Sequence, residues 1–138
     1  MQSFRLALRP LVIWLVAILA AFAVLGGIYH AYLTASPTRV FVVVDSSNPM
    51  NSVWSQVPDA LDDISGRRYA EFSLATEKER VHGWSSTLDL GSPSAYAPRN
   101  LQFSYPEIEE ADEIYLITNA DSSETAHLVG WNIVRLGP

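Results

Sequence analysis

From Leu11 to Leu33 the chain is close to continuously apolar, and no Asp, Glu, Lys or Arg falls between Arg9 and Arg39. At ~1.5 Å of rise per residue such a run reaches ~34 Å, enough to cross a hydrocarbon core of ~30 Å with slight tilt. Inside lipid a single segment satisfies its own backbone donors and acceptors only as a helix, so the span predicts a transmembrane helix over 11–33. Trp14, Tyr29 and Tyr32 fall towards its two ends, where aromatic rings favour the interface.

Beyond Thr38 the pattern shortens to that of a small α/β fold. Val40 to Val44 is a β-branched run, apolar on both pleat faces, and suits a central strand. Asp45 to Pro49 is a polar turn rich in capping residues, with Asp45 placed to cap the helix that follows. Met50, Val53, Trp54, Val57, Leu61 and Ile64 recur at helical spacing. Pro58 either kinks that helix or starts a second one, and Gly66 closes it. Arg68 to Leu74 alternates as a half-buried strand, and Val81 to Trp84 returns as its hairpin partner. Ser85 to Tyr105 is irregular, and Pro106 to Asp112 suggests one or two helical turns. Ile114 to Thr118 and Leu128 to Leu136 read as two further strands. The first two strands, joined by a helix, should be parallel. The nine residues Asn119 to His127 fall short of the dozen or so that a parallel crossover needs. The last two strands are therefore expected to form an antiparallel hairpin. Trp54, Trp84 and Trp131 are expected in the core.

Charge orients this arrangement. Arg5 and Arg9 precede the span and no charge follows it until Arg39, so the positive-inside rule places residues 1–10 in the cytoplasm. Residues 34–38 are then a short stalk and 39–138 an exported, periplasmic domain of a bacterial-type inner membrane. A cleaved signal is disfavoured: the apolar run is long, and the best small-x-small site, Thr34-Ala35-Ser36, would be cut just before Pro37. There is no Cys, which excludes both a lipidated cysteine and a disulfide. The domain holds all fifteen acidic residues against seven basic ones, a formal −8. That charge argues against nucleic acid and against docking on anionic headgroups.

Candidate chemistry is sparse. His30, His82 and His127 show no metal-ligand spacing, and there is no nucleophile elbow, P-loop or dinucleotide fingerprint. Glu107, Glu109, Glu110, Asp112 and Glu113 form an acidic cluster, either a solvated face or a docking patch for a basic partner. Asp45, at the end of a strand, also admits a phosphotransfer or hydrolase reading, although position 47 is Ser where a second acid would be wanted.

The stretch Val42 to Met50, with Asp45-Ser46-Ser47 closing a β-branched strand, resembles the first motif of the von Willebrand A domain family. Ile114 to Ala120 is similar to the later strand of that family. The resemblance implies a metal-ion-dependent adhesion site, usually for magnesium, with Asp45 and Ser47 matching its first Asp and first Ser. Pro49 stands where the second Ser belongs and Asn119 where a later Asp belongs; the Thr of that site has no counterpart that can be placed. The chain thus reads as a degenerate, truncated relative of the family. Magnesium wants hard, carboxylate-rich octahedral coordination, and Asp45, Ser47 and Asn119 supply one carboxylate, so no cofactor is expected. The reading that follows is a non-enzymatic accessory or interaction subunit of a membrane complex, held in the bilayer by 11–33. Metal-dependent adhesion through Asp45, Ser47 and Asn119 is the alternative, and chemistry at Asp45 a second one.

Overall fold

A computed structural model describes residues 2–137, with side chains from Pro10 onward. Arg5 and Arg9, which carry the orientation argument, therefore lie outside the described side chains. The chain forms two compact units, residues 1–36 and 37–138. The first is one helix, α1 (Gln2–Ala35). Its segment Pro10–Ala35 is long and apolar enough to cross a membrane, and none of its most apolar stretch is buried within the protein. Phe22 and Trp14, for example, are about 70% exposed. Apolar side chains left in contact with water in a patch of this size are unfavourable.

The second unit is a five-stranded mixed sheet: β1 (Thr38–Val44), β2 (Ala70–Thr76), β3 (Arg80–Ser85), β4 (Glu113–Thr118) and β5 (Asn132–Arg135), in spatial order β3-β2-β1-β4-β5. β1 is central, parallel to β2 and to β4, and its β-branched run is buried on both faces. Val40, Val42 and Val44 point into one core with Phe72, Leu74 and Ile117, under helix α2 (Val57–Ser65). Phe41 and Val43 point into the other, with Leu116 and Leu101, against the irregular 101–111 segment and Trp131. Each fully buried Val or Leu contributes roughly 1.5–3 kcal/mol, so β1 is where burial stabilises the sheet most. Trp54, Trp84 and Trp131 pack against these cores half-buried, at their margins.

Around Pro58 the chain starts a new helix instead of kinking an old one. Asn48–Ser52 and Trp54–Gln56 are short 3-10 turns, and α2 begins afresh with Pro58 in its first turn, where no backbone donor is needed. Gly66 closes α2 through its amide to the Asp62 carbonyl, without a left-handed conformation. β2 is covered on both faces at its C-terminal half, with Ser73 and Ala75 buried as well as Phe72 and Leu74, because it lies inside the sheet between β3 and β1. β3 returns antiparallel to β2 as expected, and α3 (Glu107–Glu110) is one short turn.

The expected terminal hairpin does not form. β5 runs parallel to β4, with Tyr115 opposite Asn132 and Thr118 opposite Arg135. The length rule holds; the strand boundary moved. Leu128 to Trp131 belongs to the connection, which therefore has thirteen residues, Asn119 to Trp131, long enough for a crossover. Leu128 and Trp131 are apolar because they cover the second core face, and that made them resemble strand positions.

Candidate functional site at the mouth between β1 and β4

The parallel pairing of β5 has a consequence for chemistry. From β1 the chain leads through α2 to β2 on one side; from β4 it leads to β5 on the other. The C-terminal ends of β1 and β4 thus flank the point where the winding reverses, the crevice in which open α/β sheets place ligands. The register sets Val44 beside Ile117, so Asp45 and Thr118 project from the same edge.

Asp45 is fully buried there. Its Oδ1 accepts the Ser47 amide at 3.0 Å, a local turn that takes the place of the expected helix cap. Neither 3-10 turn after it is capped by a side chain. Its Oδ2 accepts the Thr118 hydroxyl at 2.6 Å and Arg99 Nε at 3.1 Å. Arg99, whose side chain is 16% exposed, is the hub. Its remaining nitrogens donate to the Asn119 side-chain oxygen and to both oxygens of Glu124, at 3.2 and 3.0 Å. The Asn119 side-chain nitrogen in turn donates to the Pro49 carbonyl at 2.7 Å.

Backbone bonds hold Arg99 in place. The Asn48 amide donates to the Ala97 carbonyl at 2.8 Å, and the Tyr96 amide to the Ser46 carbonyl at 3.0 Å, pinning residues 96–97 alongside the end of β1. Ser46 donates both its amide and its hydroxyl to Glu77 Oε2, at 2.6 and 3.0 Å, which ties the start of the β2–β3 turn to the same edge. Glu124 is fixed by the turn that Asp121 caps: Asp121 accepts the Ser123 hydroxyl and the Ser123 and Glu124 amides, and these bonds hold its carboxyl below the usual range.

The structure therefore gathers Asp45, Ser47 and Asn119, the three residues singled out from sequence, and adds Arg99, Thr118 and Glu124. Arg99 lies in the irregular stretch, where no periodicity marks it. The available signal was its isolation, since it is the one Lys or Arg between Arg80 and Arg135.

The magnesium site that the resemblance implies does not fit these residues. One carboxylate faces the crevice from the strands, both its oxygens are engaged, and a guanidinium already lies against it. Asn119 directs its oxygen at Arg99. The Ser47 hydroxyl is buried and has no hydrogen-bond partner among the described residues. Among those residues no group of three or more His, Cys, Asp or Glu is placed to hold a metal. The same engagement weighs against nucleophilic attack by Asp45, which would have to shed Thr118 or Arg99 first.

The acidic cluster of 107–113 is largely spent on internal contacts. Glu107 is buried and ion-pairs with Arg80. Glu110 accepts Trp84 Nε1 at 2.8 Å, and Asp112 accepts the Arg39 amide at 2.8 Å. Glu113 pairs with Arg67 at 2.5 Å and accepts the Tyr115 hydroxyl at 2.8 Å. Those two bonds, from Arg67 first, lower the Glu113 carboxyl. Glu109 is the member with no side-chain bond among the described residues, and Glu109, Glu110 and Asp112 remain exposed. His82 and His127 bond to the Gly83 and Leu101 carbonyls, and His127 lines a surface cavity with Arg99 and Glu124.

No protein-family model matches the chain, and neither a curated protein nor a solved structure does.

Proposed function

We propose that this chain is a single-pass protein of a bacterial-type inner membrane, with its N-terminus in the cytoplasm and its α/β domain in the periplasm. In this reading it serves as a non-enzymatic interaction subunit of a membrane complex. The observation that carries the reading is the helical stretch from Pro10 to Ala35, without Asp, Glu, Lys or Arg, joined to a domain whose strand-end carboxylate, Asp45, is buried and paired with its own Arg99. An enzyme needs an accessible reactive group in such a crevice. Here the carboxylate is buried, and the cation beside it is committed to three oxygen-bearing side chains.

Only Ser36 and Pro37 separate α1 from β1. Two residues reach about 7 Å, so a partner of the domain is met close to the bilayer and is itself expected to be membrane-bound. The kinship to the von Willebrand A family is part of the same proposal, as a relative that has kept a strand-end Asp-x-Ser without the metal chemistry.

The test is purification of the full chain from membranes in mild detergent, with in-cell crosslinking beforehand. The expected result is a discrete crosslinked species containing a second membrane protein. A monomer with no crosslinked product at native expression would contradict the proposal.

A further inference from the structure

We infer that Arg99 is a built-in cation for the β1–β4 mouth: its guanidinium neutralises buried Asp45 and clamps three separate chain segments, so the domain keeps its mouth without any divalent metal. An isolated ionised carboxylate away from water is strongly unfavourable and needs a counter-charge with good hydrogen-bond geometry. Arg99 supplies both. One edge of its fork meets Asp45 from the end of β1, a second nitrogen meets Asn119 from the end of β4, and a third holds both oxygens of Glu124 from the β4–β5 connection. The planar fork suits this task better than an ammonium, which has no fixed set of donor directions.

A divalent cation bound to Asp45 would have to displace the guanidinium. At the strand ends it would meet the Asp45 carboxylate, a hydroxyl and an amide oxygen, with the partly exposed Glu124 as the other carboxylate on Arg99, a poor set for a hard ion that dehydrates reluctantly. Glu124 is the more exposed partner of Arg99, with its side chain 42% exposed, and the two line one surface cavity. Positive charge is thereby held in the crevice against two carboxylates, the buried Asp45 and the partly exposed Glu124. The mouth acts as a covalently supplied strut between strand ends, and its integrity depends on residue 99 and not on the metal content of the compartment.

Thermal unfolding of the full chain in detergent tests this, with magnesium, manganese or a chelator added. The wild-type midpoint is expected to be unchanged by any of the three. Arg99→Gln, which removes the charge, is expected to unfold about 10 °C or more lower. The double variant Asp45→Asn with Arg99→Gln should recover a substantial part of that loss, since no unbalanced charge remains buried. A midpoint raised by manganese or lowered by the chelator in wild type would overturn the inference, as would Arg99→Gln unfolding with wild type. Should Arg99→Gln fail to fold, the double variant decides: a folded protein supports the charge argument, and an unfolded one refutes it.

Discussion

Asp45 and Ser47 lie two positions apart, both buried, and physical chemistry treats them oppositely. Asp45 accepts three hydrogen bonds, so truncation to Ala would leave the Thr118 hydroxyl and Ser47 amide without this acceptor and Arg99 with Glu124 as its remaining carboxylate, and is expected to cost about 3 kcal/mol in denaturant unfolding. Ser47 carries a buried hydroxyl without a partner, so Ser47→Ala should be neutral or stabilising, within about 0.5 kcal/mol. A metal-site Ser would behave differently, and loss of stability in Ser47→Ala that magnesium restores would argue for one. Asp45, Ser47 and Asn119 were legible in the sequence because they fall at strand ends, where polar residues interrupt apolar runs. Arg99 was not, because its position depends on backbone bonds from 96–97 to the end of β1, contacts with no local periodicity.

Among the elements, the first four strands were legible for a common reason: their apolar runs are bounded by polar or turn residues. β5 was misread because Leu128 and Trp131, half-buried against the core from the connection, extend its apolar pattern upstream, and that error reversed its direction. The outcome gives a graded sheet. β1 is flanked by two strands and buried on both faces, whereas β5 has four residues and one neighbour. Hydrogen exchange is expected to show β1 amides opening only with global unfolding and β5 amides opening earlier; equal protection would contradict that ranking. The start of β4 should respond to acid. Glu113 has its carboxyl lowered by Arg67 and Tyr115, so its stabilisation is present above the ordinary carboxylate range and is lost as pH falls through the lowered value. Replacing Glu113 by Gln should therefore flatten the acid limb of the stability curve, by a modest amount because the pair is partly exposed. An unchanged acid limb would remove Glu113 from the account.

The whole molecule joins an apolar helix to an acidic domain, and composition alone separates the two: all fifteen acidic residues lie beyond the helix. The proposed topology puts that domain outside the cytoplasm on the strength of two arginines before the span and none within it. The chain has no cysteine, so a single one introduced at the exposed Ser94 is the only thiol a reagent can find. Labelling of Ser94→Cys in intact spheroplasts with a membrane-impermeant maleimide, followed by alkaline washing of the membranes, tests anchor and orientation together. The account predicts a labelled, full-length protein that stays in the membrane pellet. Labelling that appears only after lysis, or a shortened product released into the soluble fraction, would contradict it.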